Sequence, residues 1–153
     1  MSNISIPTPV TMHFTIEEMY ASQTAKRLGI DNKPNVQHMI NLVYLCAYVL
    51  EPLRLAMNEP IKIGSGYRCR KLNKAVGGVD NSQHTKGQAA DLCIDGDIKK
   101  GRKWFEYIRD HLPFDQLIWE KNPKTGSYWV HVSFVFPDFG KNRRQVIDGL
   151  LKK

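Results

Sequence analysis

The spacing of apolar residues changes at Asn58-Glu59-Pro60, and this change constrains the fold more than any other feature of the sequence. Before it, apolar residues recur at helical spacing, which predicts a helix over residues 35–57 that forms one wall of the core. After it, residues 61–67 alternate like a strand, and their glycines indicate a bend or a close approach of backbones. Helices are therefore expected first and strands later.

The remaining periodic segments extend this pattern. Thr15 and Glu18 form a capping box at the start of the first predicted helix, Gly29 ends that helix, and Pro113 ends the last one. Helices are predicted at 15–28, 35–57 and 97–112, and strands at 61–67, 88–94, 116–120 and 128–136. Because the loops between strands are too short for parallel crossovers, we predict an α+β fold with an antiparallel sheet flanked by helices.

The length of the chain indicates its domain organisation. At 153 residues it has the usual size of one domain. We predict a single domain over 1–153, with a helical extension at 1–34 and a basic tail at 137–153 as appendages. A monomer is the default expectation.

The net charge of +7 favours polyanionic partners such as nucleic acid, an anionic membrane or a wall rich in carboxylates and phosphates. The basic residues are scattered, and no recognition-helix or zinc-finger spacing accompanies them. Most of this charge is therefore interpreted as solvated surface, and no specific binding of nucleic acid is expected.

Several features bear on the compartment. Residues 1–10 lack the basic start and the apolar stretch of a secretory signal. The apolar stretch 39–50 is shorter than the roughly 20 residues needed to cross a bilayer, so no membrane span is expected. The three cysteines have no paired spacing, which predicts free thiols in a reducing compartment. We therefore expect a cytoplasmic protein.

The strongest chemical signal lies in residues 82–92, which read SQHTKGQAADL. His84 is in a loop, Gly87 permits a sharp turn, and Asp91 falls in the following strand, so the chain can bring imidazole and carboxylate together. His131 is the best third ligand because an ionisable group has little other reason to lie in the middle of a strand. Two nitrogens and one oxygen suit one zinc ion, with the fourth position left to water as in catalytic sites.

These residues resemble a known family. The motif Ser82-x-His84-x-x-Gly87-x-Ala89-x-Asp91, preceded by Ser65-Gly66-Tyr67-Arg68 and followed by Trp129-x-His131, is similar to that of the zinc D-alanyl-D-alanine peptidases. Their relatives include carboxypeptidases, phage endolysin L-alanyl-D-glutamate endopeptidases and the hedgehog signalling domain. Asn73 and Val76-Gly77-Gly78 also match, and the resemblance covers about residues 60–135.

The resemblance implies one zinc ion on His84, Asp91 and His131, and an arginine, Arg68, that steadies the substrate carbonyl or carboxylate. A planar guanidinium beside a metal suits that role. The implied activity is hydrolysis of a peptide bond in peptidoglycan stem peptides, as a D,D-carboxypeptidase or an endolysin-like endopeptidase. A phage-encoded enzyme of this kind would wait in the cytoplasm until lysis.

The resemblance leaves the general base to another position in this chain. Many family members have a carboxylate three residues before the last histidine, where this chain has Tyr128. Glu120 is the alternative, since a hairpin centred near Lys124 would bring it close to His131. A pairing of Glu120 with Trp129 would put its side chain on the His131 face, whereas a pairing with Tyr128 would put it on the opposite face.

Other residues are candidates for substrate binding, each with a structural alternative. Serines near turns often cap the backbone, and aromatic residues in strands often belong to the core. The candidates beside Arg68 are Ser82, Gln83, Tyr67, Trp129 and Ser133. A second hypothesis for the whole chain is a zinc-stabilised binding module without catalysis, as in the hedgehog relatives, and Tyr128 is its main support.

Overall fold

A computed structural model describes residues 8–149 of the protein. Its α-helices are α1 (Gln23–Leu28), α2 (Val36–Leu45), α3 (Glu51–Met57), α4 (Arg70–Ala75) and α5 (Ile98–His111). Its strands are β1 (Lys62–Ser65), β2 (Ala89–Cys93), β3 (Gln116–Lys121), β4 (Tyr128–Ser133) and β5 (Gln145–Asp148). The prediction of helices followed mainly by strands, in an α+β fold, is confirmed for this part of the chain.

The strands form one sheet in the order β1-β2-β4-β3-β5. Neighbouring strands are antiparallel except β3 and β5, which are parallel. The prediction of an antiparallel sheet is therefore wrong for the fifth strand, and the sheet is mixed. Parallel strands need a long crossover only when they follow each other directly in the chain. Here β4 runs antiparallel to β3, and the chain reverses again before β5, so β5 runs in the same direction as β3.

The basic segment 137–153 contributes β5 to the edge of the sheet through Gln145–Asp148. Its last residues, 150–153, lie outside the described residues, as do residues 1–7 of the segment 1–34. The helix predicted over 15–28 is interrupted. The capping box forms, with Thr15 N donating to Glu18 Oε1 at 2.7 Å, but it caps only a 3-10 turn, and Ser22 caps α1 separately.

The long helix predicted over 35–57 is present as α2 and α3 joined by a π-helical turn, Cys46–Leu50. Pro52 accounts for the turn, because proline lacks the N–H and its ring clashes with a carbonyl in a regular α-helix. By length and composition this helix of residues 36–57 could cross a membrane. Its buried face carries Leu42, Leu45 and Leu53, and a helix in the core of a folded domain can be as long and as apolar as a membrane-spanning helix.

The two faces of the sheet have different environments. Alternate residues on one face, such as Leu92, Val130 and Trp119, are buried in the hydrophobic core with side chains from α2, α3 and α5. Because successive side chains in a strand alternate, Asp91 and His131 lie on the opposite face. The sheet therefore presents its polar residues on the side away from the core.

Candidate metal centre

His84 is positioned by a 3-10 turn, Gln83–Lys86, that directly precedes β2. The hydroxyl of Ser82 accepts a hydrogen bond from His84 N at 3.2 Å and begins the turn. Gly87 ends it with a φ of 73°, a left-handed conformation that favours glycine, and a Cβ there would overlap the backbone carbonyl of His38. This turn buries the His84 side chain beside the sheet.

Asp91 and His131 are brought together by the register of the sheet. They are directly paired across β2 and β4, so their side chains lie on one face as neighbours. His131 Nδ1 is 2.9 Å from Asp91 Oδ1, and His84 Nε2 is 3.3 Å from the same oxygen. The three predicted ligands thus have their donor atoms within 4.8 Å of one another.

A hydrogen bond fixes which nitrogen of His84 faces this cluster. His84 Nδ1 is 2.7 Å from the carbonyl oxygen of Gly66, which can only accept. Nδ1 therefore carries the proton, and in the neutral imidazole Nε2 carries the lone pair that faces Asp91. A carbonyl partner of this kind is typical of metal-binding histidines, since it fixes both tautomer and ring orientation.

The electrostatics of the cluster favour an ionised Asp91. Burial by itself raises the pKa of Asp91, but the close pairing of its carboxylate with the imidazoles of His84 and His131 outweighs burial and holds that pKa well below its usual range. Arg68 Nη2 also donates to Asp91 Oδ2 at 3.2 Å. The carboxylate is therefore charged at neutral pH.

The donor set fits a zinc ion. A lone pair on His84 Nε2 and a carboxylate oxygen 3.3 Å away repel each other unless a proton or a metal ion lies between them. Two imidazoles and one carboxylate are a ligand combination that zinc prefers, and three protein ligands leave a position for water or substrate. Among the described residues, His84, Asp91 and His131 are the group that meets these conditions.

Arg68 is held beside the cluster by three side chains. Its Nε donates to Ser65 Oγ at 3.0 Å, its Nη1 to Asn73 Oδ1 at 3.1 Å, and its Nη2 to Asp91. Its backbone N donates to the carbonyl of His84 at 3.0 Å. Each terminal nitrogen keeps one unused hydrogen, so the guanidinium can still donate to a substrate oxygen.

Glu120 lies on the same face of the sheet as His131. Glu120 pairs with Trp129, which is the register that puts its side chain on the His131 face. It lines the same cleft as the three ligands and is half-buried. Burial raises the pKa of Glu120 above its ordinary value, and the negative charge of Asp91 adds to this, while the charges of His131, His84 and Arg68 oppose it.

Tyr128 lies on the opposite face. It pairs with Lys121 and stacks on Trp119, with ring centroids 5.3 Å apart. An acid at position 128 of this regular strand would point away from His131, because residues at odd separations lie on opposite faces. The absence of an acid there is therefore consistent with a site served by Glu120.

The cluster lies on a cleft of about 570 Å³. Of the residues predicted to bind substrate, Arg68, Ser82, Gln83 and Trp129 line this cleft. Tyr67 and Ser133 do not. Tyr67 is buried and stacks on His38, and Ser133 is fully buried with its Oγ accepting a hydrogen bond from Gln116 N. Tyr67 therefore belongs to the core, and the Ser133 hydroxyl bonds to the backbone.

Several residues of the site had no firm role assigned to them from the sequence. Asn73, which matches the family motif, is buried and links Arg68 to the carbonyl of Val79. A Cβ at Gly78 would overlap the Asn73 carboxamide, which explains the glycine. Gln116, Ile118 and Arg143 also line the cleft. Gln116 is, from the sequence, a weaker candidate for orienting ligands or substrate. The signal for Ile118 was available, since it alternates with Gln116 and Glu120 in one predicted strand.

A buried His-Asp-His group beside an arginine and a glutamate, on the open face of a sheet, defines a candidate mononuclear hydrolase centre. A sequence model of the family described as Peptidase M15 matches residues 12–133. The chain therefore belongs to the peptidase M15 family, and the resemblance found in the sequence is confirmed. M15 peptidases are zinc-dependent, which places the chain in the general class of zinc metallopeptidases. No curated protein matched the chain.

Proposed function

We propose that the chain hydrolyses a peptide bond in peptidoglycan stem peptides, as a D,D-carboxypeptidase or an endolysin-like endopeptidase. The observation that carries this proposal is the position of Glu120 and Arg68 on one cleft with His84, Asp91 and His131. A substrate bound in this cleft would lie beside a metal-binding group, a half-buried carboxylate and a guanidinium. The stem-peptide substrate comes from the family resemblance.

Each residue has a defined part in the proposed hydrolysis. His84, Asp91 and His131 would hold the zinc ion, which supplies Lewis acidity for the substrate carbonyl and for the attacking water. Glu120 accepts a proton from the water while the water oxygen bonds to the carbonyl carbon. Glu120 then delivers that proton to the leaving amine as the C–N bond breaks. Arg68 donates a hydrogen bond to the carbonyl oxygen as negative charge develops there.

The second candidate is a zinc-stabilised binding module without catalysis. Its support is the tyrosine at position 128, where many relatives have an acid. The two candidates share the metal ligands and differ in whether Glu120 acts on a substrate. A substitution at Glu120 therefore separates them.

Glu120→Gln keeps the size of the side chain and removes the proton acceptor. We expect zinc content and melting temperature to stay at the level of the unsubstituted protein, and peptide release from purified sacculi to fall by about 10²–10⁴-fold. Tyr128→Phe is the matched control on the opposite face and should leave release unchanged. Full release by Glu120→Gln would remove Glu120 from the mechanism, and absence of release by the zinc-loaded unsubstituted protein would favour the binding module.

The products separate the two peptidase types. Mass spectrometry of the released material would give free D-alanine for a D,D-carboxypeptidase and larger fragments for an endopeptidase that cuts between L-alanine and D-glutamate.

A further inference from the structure

A second arginine, Arg143, lines the cleft that holds the metal-binding group. It precedes β5 and lies outside residues 12–133, the part of the chain that matches the family. Its side chain is 58% exposed, whereas the side chain of Arg68 is 15% exposed. The cleft therefore has one enclosed guanidinium beside Asp91 and one accessible guanidinium at its rim.

Arg143 is held in place by a buried acid, Asp115, whose side chain is 4% exposed. Arg143 Nη2 donates to Asp115 Oδ2 at 2.7 Å, its Nε to both carboxylate oxygens, and its backbone N to Oδ1 at 2.7 Å. Nearby, the Asn142 carboxamide makes two hydrogen bonds to the backbone of Val135. The guanidinium is thus fixed on one edge by a rigid anchor.

The same anchor connects Arg143 to the metal-binding turn. Gln83 Nε2 donates to Asp115 Oδ2 at 3.0 Å, so Gln83 and Arg143 share one oxygen atom. Gln83 directly precedes the ligand His84 and also lines the cleft. A substrate group bound by Arg143 would therefore lie close to the bond that the centre cleaves.

The two arginines differ in the hydrogen-bond donors that they keep for a ligand. All three nitrogens of Arg68 are bonded to protein side chains. In Arg143 only Nε and Nη2 are bonded, and Nη1 makes no hydrogen bond to any of residues 8–149. A free edge of a fixed guanidinium suits a carboxylate, which accepts two hydrogen bonds.

We propose that Arg143 forms a subsite for a free α-carboxylate on the residue whose amine is released, a proposal that rests on the peptidase function above. The side of the scissile bond follows from peptide chemistry. On the acyl side, the α-carboxyl group is itself the scissile carbonyl. A free α-carboxylate next to the bond therefore belongs to the leaving residue, either as a C-terminus or on a residue joined onward through its side chain.

The test pairs each substrate with its amide. Zinc-loaded protein is given acetylated peptides that end in D-Ala-D-Ala or in L-Ala-D-Glu, each with the α-carboxylate free or as a carboxamide. We expect kcat/KM for the cleaved type to be roughly ten- to a hundredfold higher for the free acid. Arg143→Gln should remove this preference. Arg143→Lys should keep part of it, because lysine retains the positive charge but lacks the paired N–H donors of the guanidinium.

Lys141→Gln is the control, since it removes one positive charge from an exposed neighbouring residue that does not line the cleft. It should keep the full preference for the acid. Equal cleavage of acid and amide by the unsubstituted protein would overturn the subsite while the peptidase function stands, and so would a preference that survives in Arg143→Gln.

Calorimetric binding of the same peptides separates failure of the subsite from failure of the function. Acid-selective binding that depends on Arg143, without cleavage of any peptide, would contradict the peptidase function and retain the subsite. Binding that does not distinguish acid from amide would contradict the subsite.

Discussion

At the scale of single residues, the centre depends on a few side chains that have more than one partner. Asp91 contacts His84, His131 and Arg68, and it is paired with His131 by the sheet itself. The Gly66 carbonyl selects the tautomer of His84. Because each contact fixes an orientation, the side chains and backbone of the protein itself position the donor atoms.

The electrostatics of Glu120 give a prediction for the metal-free protein. Burial is the main cause of its raised pKa, so Glu120 should titrate above the ordinary value of about 4.3. Loading with zinc should lower this pKa, because a nearby cation favours the carboxylate. Carbon-13 NMR of the carboxyl carbon, assigned with Glu120→Gln, measures both values. An ordinary or lowered pKa in the metal-free protein would contradict the described burial.

At the scale of elements, the β3–β4 hairpin and the turn before β2 determine which residues meet. The register that pairs Glu120 with Trp129 puts the glutamate on the His131 face, and a slip of one residue would put it among core residues. The segment before β5 then adds Arg143 through its anchor on Asp115. The first contribution depends on a pairing within one hairpin, whereas the second joins residues that are 28 positions apart in the chain.

The anchor of this segment predicts a pH-dependent stability. Burial raises the pKa of Asp115, but hydrogen bonds from Arg143 outweigh it and lower that pKa. A group whose folded pKa is depressed stabilises the protein above its unfolded pKa, about 3.9, and loses this effect as the pH falls through the folded pKa. Asp115→Asn should therefore cost about 1–3 kcal/mol of unfolding free energy at neutral pH.

The difference between Asp115→Asn and the unsubstituted protein should shrink as the pH falls below about 3.9, where the unfolded state binds its proton first, and should be lost as the pH falls through the lower folded pKa of Asp115. Urea unfolding at several pH values measures it. A difference that stays constant over this range would show that the ion pair with Arg143 does not stabilise the segment.

At the scale of the whole molecule, local patterns predicted most of the elements and the three candidate ligands, but they predicted neither α4 nor β5. Apolar spacing identified the helix of residues 36–57, and the positions of His84, Asp91 and His131 identified the donor set. Features that depend on non-local pairing were not predictable. No local pattern in the sequence indicates that β5 pairs in parallel with β3 or that Arg143 lies at the cleft, since neither feature changes the alternation of residues within a strand.

We propose above all that His84, Asp91 and His131 bind one zinc ion that the protein uses in hydrolysis. The most direct measurement is the metal content of the purified protein, determined together with peptide release from sacculi before and after chelation. We predict one zinc ion per chain, loss of release when zinc is removed, its return when zinc is restored, and no stoichiometric zinc in His84→Ala. A protein without stoichiometric zinc, or one whose peptide release is unaffected by complete removal of zinc, would contradict the claim.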